Sequence, residues 1–216
     1  IIEDTIEQVI EEVTEVEVVE TVEPEITEPV EVVEPIEEIA PIVEALPLQL
    51  FFDNNQPAPN TNYDYETYFN NYLARKTEYA SKIGVDATNE WFSKVNAAKD
   101  LIDDVVNQLE TIASKGYTVE LTLKGYASPL ASADYNAKLA SRRIAIVVNT
   151  LKTANNGVLS KWFEDGTIKI IEAPIGESNS PTGINDDLSN KTQSIYSTQA
   201  AFERRVEIIA VDIEKK

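Results

Sequence analysis

From Val95 to Ile112 the apolar side chains recur at three- and four-residue intervals. Val95, Ala98, Leu101, Ile102, Val105, Val106, Leu109 and Ile112 share one face. That spacing predicts a helix over 93–114, apolar on its inner side and stopped by Gly116. The period then changes. Tyr117, Val119, Leu121 and Leu123 alternate with Thr118, Glu120, Thr122 and Lys124, the pattern of a strand with one wet face, and Gly125 reads as a turn. A second helix is expected over 135–151, with Leu139, Ile146, Val147 and Leu151 inward. Leu48, Leu50 and Phe52 read as a first short strand closed by Asp53, Asn54, Asn55 and Pro57, and 167–172 as a third strand. A polar loop over 176–190, a helix over 192–202 and a last strand over 205–213 complete the series. The order predicts an α+β fold, an αβ sandwich with a small mixed β-sheet and helices packed on one face.

Two segments stand outside that alternation. Residues 57–92 concentrate Tyr63, Tyr65, Tyr68, Phe69, Tyr72, Tyr79, Trp91 and Phe92. Such a cluster reads as a packing face, with a sugar-stacking platform as the second reading. Residues 1–46 mix Glu with Val and Ile and place Pro24, Pro29, Pro35 and Pro41 five or six apart, with Pro47 following. Proline at that interval interrupts helices and like charges extend a chain, so an extended acidic Pro-rich tail precedes a domain over 47–216. At full extension it would reach on the order of 150 Å. A tail ordered by a partner, as a strand added to a sheet edge, is the alternative.

Charge sharpens the division. Residues 1–49 hold 16 acids and no Lys or Arg, leaving 22 acids against 18 bases in the remainder of a chain whose net charge is −20. An acidic chain without a basic stripe repels phosphate, which argues against nucleic acid and anionic lipid as partners. With no Cys and no His there is no thiol nucleophile, imidazole base or ordinary zinc site, and no cofactor or metal is expected. Adjacent acids such as Asp103 and Asp104 read as a solvated helix face, and Asp186 and Asp187 lack the regular oxygen spacing of a calcium loop. A wall-cleaving hydrolase would need a paired acid and base or a metal, so the chain is expected to be no enzyme. No run reaches the roughly 20 apolar residues of a membrane helix, and the start at Ile1 reads as that of a processed or excised segment.

Three stretches then carry a resemblance. They are Phe52-Asp53-Asn54-Asn55; Gly125-Tyr126-Ala127-Ser128 followed by Tyr135-Asn136, Leu139 and Arg142-Arg143; and Gly176-Glu177-Ser178 with Glu203-Arg204-Arg205-Val206-Glu207-Ile208. In this order and spacing, over 48–213, they resemble the OmpA-like C-terminal domain, the module that anchors Gram-negative outer-membrane proteins to peptidoglycan. The run from Gly125 to Leu130, with Ala140-Ser141-Arg142-Arg143-Ile144 and Ser194-Ile195-Tyr196-Ser197, is similar to a divergent branch at the C-terminus of longer outer-membrane-associated chains.

The resemblance implies a non-catalytic cell-wall anchor at the periplasmic face of the outer membrane. Its ligand would be the diaminopimelate of the peptidoglycan stem peptide, and an outer-membrane partner would join through the tail or the 57–92 insertion. It implies an arginine for the ligand carboxylate, which falls on Arg143, and an aspartate for the ammonium, which falls on Ser128. Asn136, Asp53, Asn55 and Tyr126 complete the implied peptidoglycan site. Asp53, Glu177, Asp186 and Asp187 are candidates to supply the missing negative charge. Arg143 could instead hold a loop carboxylate such as Asp53, and Asn136 could bond the turn at Gly125. Arg204 and Arg205 read as structural. The second functional reading is a protein-interaction module of an envelope assembly whose peptidoglycan pocket has degenerated.

Overall fold

Strands and helices alternate through the computed structural model, which describes residues 47–177, 185 and 187–216. The expected tail over 1–46 and Asp186 lie outside the described residues. The order is β1 (Leu48–Phe51), α1 (Tyr65–Leu73), α2 (Lys76–Ile83), α3 (Val85–Ser114), β2 (Tyr117–Tyr126), α4 (Ala133–Gly157) and α5 (Ser160–Glu164). There follow β3 (Ile168–Gly176), a π-helical turn (Thr192–Tyr196), α6 (Thr198–Phe202) and β4 (Arg205–Lys215).

The strands form one mixed sheet in the order β1-β4-β2-β3. β4 runs antiparallel to both β1 and β2, while β2 and β3 are parallel and joined by the α4–α5 crossover. Alternation sorts the two faces. Val119, Leu121, Leu123, Val206 and Ile208 are buried on one, while Glu120, Thr122 and Lys124 are half-buried and Asp212 and Glu214 exposed on the other. Helices α3 and α4 pack on the apolar face, so the α+β layering expected from the pattern is present.

Several elements differ from expectation, each for a local reason. Helix α3 begins at Val85 because Thr88, Trp91 and Phe92 continue its buried face. Leu101, placed on that face by the pattern, is 37 % exposed at its margin. Gly125 opens no turn: β2 continues through Tyr126, and a side chain at 125 would put its Cβ 2.7 Å from the Ala140 carbonyl oxygen of α4. The glycine lets helix and strand approach. The helix expected over 192–202 is broken at Ser197, whose extended backbone (ψ 144°) ends the π turn while its hydroxyl caps α6 from the Ala200 N–H. Helix α4 departs from helical geometry at Ala154, and Asn155 and Asn156 lie at φ 49° and 60°.

The 57–92 segment is folded into α1, α2 and the first turns of α3. Tyr65, Tyr68, Phe69, Tyr72, Tyr79, Trp91 and Phe92 are all buried, so most of the cluster is core. It packs against β1: the Tyr65 hydroxyl donates to the Phe51 carbonyl at 2.9 Å, and the Trp91 ring meets Phe51 edge-on at 5.0 Å. Among the described residues no helix is long and apolar enough to cross a membrane.

Candidate functional site

Helical phase puts Asn136, Leu139, Ala140 and Arg143 on one buried face of α4, against the sheet and the loop that leaves β1. Arg143 is fully buried. Its Nε donates to the Gln56 carbonyl at 2.9 Å, one Nη to the Tyr126 carbonyl at 2.6 Å and the other to the Asp53 carbonyl at 3.2 Å. Three carbonyls favour the cation, but burial opposes it and draws its pKa down from 12.5 to about 9. It stays positive at neutral pH. Among the described residues, no carboxylate lies within ion-pairing distance of it.

Arg143 lines a cavity of about 310 Å³ with Asn54, Asn55, Ser128, Leu130, Ala131, Tyr135, Asn136, Leu139 and Leu188. Of the expected site residues, Arg143, Ser128, Asn136 and Asn55 therefore share one space. Asn55 stands at the rim in a left-handed conformation (φ 56°), and the Tyr135 hydroxyl donates to its side-chain oxygen. Ser128 is buried just beyond the end of β2.

Asn136 does not bond the segment at Gly125. Its Nδ2 donates to the Ala131 carbonyl at 3.1 Å and to Glu177 Oε2 at 2.5 Å. The parallel pairing of β2 and β3 explains how Glu177 arrives, because the two strands end side by side and the Ala127 N–H donates to the Gly176 carbonyl at 2.9 Å. Gly176 sits at φ 66°, and a Cβ there would lie 3.1 Å from the Ala137 nitrogen. The bare backbone lets β3 come close enough for Glu177 to meet Asn136.

Asp53 and Tyr126 depart from the expected site. Both touch Arg143 through main-chain carbonyls and line none of that cavity with their side chains. The buried Asp53 carboxylate is held by Arg75 Nη1 at 2.7 Å, the Tyr79 hydroxyl at 2.8 Å and the Asn54 N–H at 2.7 Å. Arg143 thus grips the loop without pairing with the Asp53 carboxylate. The Tyr126 ring lies 4.2 Å from the Arg205 guanidinium. Arg205 also bonds Glu207 at 2.7 Å, and Arg204 is buried on the Phe52 and Ile195 carbonyls. Of the remaining candidate acids, Asp187 accepts from the Ser189 N–H and is exposed.

Tyr135, Leu130 and Leu188 complete the cavity, and Arg75 completes the setting of Asp53; none was picked out as a site residue from sequence. Tyr135 is visible in the sequence as the start of a helix and as part of the Tyr135-Asn136 motif but carries no ligand signal of its own, and Arg75 carries none, because its partner is 22 positions away. A cation at the wall, a hydroxyl and amides around it, an apolar side and an acid held at the Asn136 edge can together accept a small ligand carrying a carboxylate. Among the described residues no group of three or more acidic side chains could hold a metal ion. No family model and no curated protein matches this chain.

Proposed function

We propose that the chain is a non-catalytic wall anchor that binds the diaminopimelate end of a peptidoglycan stem peptide. It would act at the periplasmic face of the outer membrane and tether an outer-membrane protein or complex. The observation that carries this reading is Arg143: a buried cation at a cavity wall, satisfied by carbonyls but lacking a carboxylate partner among the described residues. A ligand carboxylate would complete it. Ser128 stands where the OmpA-like resemblance implies an aspartate, and Glu177, which bonds the cavity residue Asn136, is the acid we propose takes over the ammonium.

Calorimetric titration of the whole chain with a diaminopimelate-containing stem tripeptide tests this. Binding is expected, Glu177→Gln should weaken it about tenfold, and Ser128→Asp should strengthen it, a charged acceptor being worth ~1 kcal/mol more than a neutral one. Arg143→Ala should abolish it. Because Arg143 also holds the loop, the Glu177 and Ser128 variants carry the argument if that variant unfolds. Absence of binding by the folded wild-type chain would overturn the reading. It would favour the alternative for which Ser128 speaks, a protein-interaction module of an envelope assembly.

A further inference from the structure

The loop that Arg143 holds lends residues to two cavities. Asn54 and Asn55 face the first, whereas Asp53 and Gln56 line a second, of about 270 Å³, with Tyr63, Tyr68, Asn71, Tyr72 and Arg75. Every residue of this second space beyond the loop comes from α1, its approach or the α1–α2 junction, so the space exists because of the aromatic insertion. Its chemistry differs from that of the first. The one buried carboxylate, Asp53, is matched by Arg75, leaving a nearly neutral site.

The polar groups there are fixed and planar. Asp53 is held by three donors, and the Arg75 guanidinium is locked between Asp53 and Glu78, each at 2.7 Å. The Tyr68 hydroxyl accepts from the Asp53 N–H, and the Tyr72 hydroxyl accepts from Trp91 Nε1 at 2.9 Å. At the mouth the exposed Asn71 and the half-buried Gln56 add amide donors and acceptors. Tyr63 is half-buried and stacks at 18° on Tyr68, with ring centroids 6.3 Å apart, and Tyr68 rests in turn on Phe52 at 4.8 Å. A rigid aromatic platform beside planar amide, carboxylate and guanidinium groups suits a ligand with an apolar ring face and a rim of hydroxyls. A neutral pyranose has that shape; a strongly charged ligand would find little uncompensated charge.

We propose that this cavity is a saccharide subsite, separate from the Arg143 cavity and sharing the 53–57 loop with it. Its identification with wall glycan rests on the function proposed above: the stem peptide would occupy one side of the loop and its attached sugar the other.

The test compares three probes on the whole chain by calorimetry: the free stem tripeptide, the same peptide on its N-acetylglucosaminyl-N-acetylmuramyl disaccharide, and chitotriose, a neutral oligosaccharide without peptide. The disaccharide peptide should bind about tenfold more tightly than the free peptide. Tyr63→Ala and, as a surface change that leaves the core intact, Asn71→Ala should remove that gain without altering affinity for the free peptide. Chitotriose should bind weakly and lose its binding in both variants. If no peptide binds but chitotriose does, with the same dependence on Tyr63 and Asn71, the subsite stands and the stem-peptide reading falls. Equal affinity for free and glycosylated peptide with no chitotriose binding, or saccharide binding indifferent to both substitutions, overturns the subsite.

Discussion

Tyr79 joins two buried charges of opposite sign. Its hydroxyl donates to Asp53 Oδ1 at 2.8 Å and accepts from an Arg204 Nη at 3.3 Å, and its ring meets Phe92 and Tyr196 edge-on at 5.5 and 5.1 Å. Removing only the oxygen leaves the ring in place and takes a donor from a buried carboxylate. Tyr79→Phe is therefore expected to cost about 1–3 kcal/mol in urea unfolding, and it should disturb the second cavity more than the first. Arg143 works by the same logic from the other side: its three carbonyl acceptors belong to the loop and to β2. Hence the residue proposed to meet a ligand also positions two segments of the fold. Sequence reasoning brought Arg143, Ser128, Asn136 and Asn55 forward. It did not foresee the setting of Asp53, because nothing in the chain around Asp53 indicates that Arg75 will claim its carboxylate.

The aromatic insertion carries four buried tyrosines whose ionisation opposes folding at alkaline pH. Burial raises the pKa of Tyr65, Tyr68, Tyr72 and Tyr79 above the ordinary value of 10.0, and neighbouring acids or tyrosines add to the shift. Above that value the unfolded tyrosines release protons that the folded ones retain. The stabilisation is complete below pH 10 and is lost as the pH climbs toward the raised values. Because burial lowers the Arg143 pKa, that group's contribution rises with pH above about 9 and opposes the fall, so the tyrosine effect is read from tyrosinate absorbance, which should appear beyond about pH 10 only together with unfolding. The contact between β2 and α4 is a second element-scale constraint. Gly125→Ala would drive a methyl group against the backbone oxygen of Ala140, which no rotamer can relieve, and should cost about 1–3 kcal/mol by thermal denaturation. Periodicity made β2, the later part of α3 and the inward face of α4 legible. It failed where one feature carries two meanings: Gly125 could mark a turn or a close approach, and the aromatic run obscured the first turns of α3.

Across the molecule, β2 is hydrogen-bonded on both sides over 119–125 and β4 over 206–208, where β1 also pairs with it, while β1 and β3 are edges. Backbone amide exchange should be slowest in β2 and in the 206–208 part of β4 and faster along the outer side of β3, whose Ile171 is 46 % exposed; uniform protection across the sheet would contradict that order. The same topology decided which site residues could be foreseen. The strands were readable one at a time, but their order was not, and it is the parallel pairing of β2 with β3 that brings Glu177 to Asn136.

The position of the first cavity beyond the end of β1 also has a mechanical meaning. The chain enters β1 at Leu48, runs antiparallel to β4 and leaves at Phe51 toward Asn54 and Asn55, which line the cavity. A pull applied between residue 47 and an occupant of that cavity would run along the strand, while the hydrogen bonds to β4 lie across it. Those bonds would resist together in shear instead of opening one after another like a zipper. Loaded in this way, even a strand of only four residues is opposed by all its bonds to β4 at once.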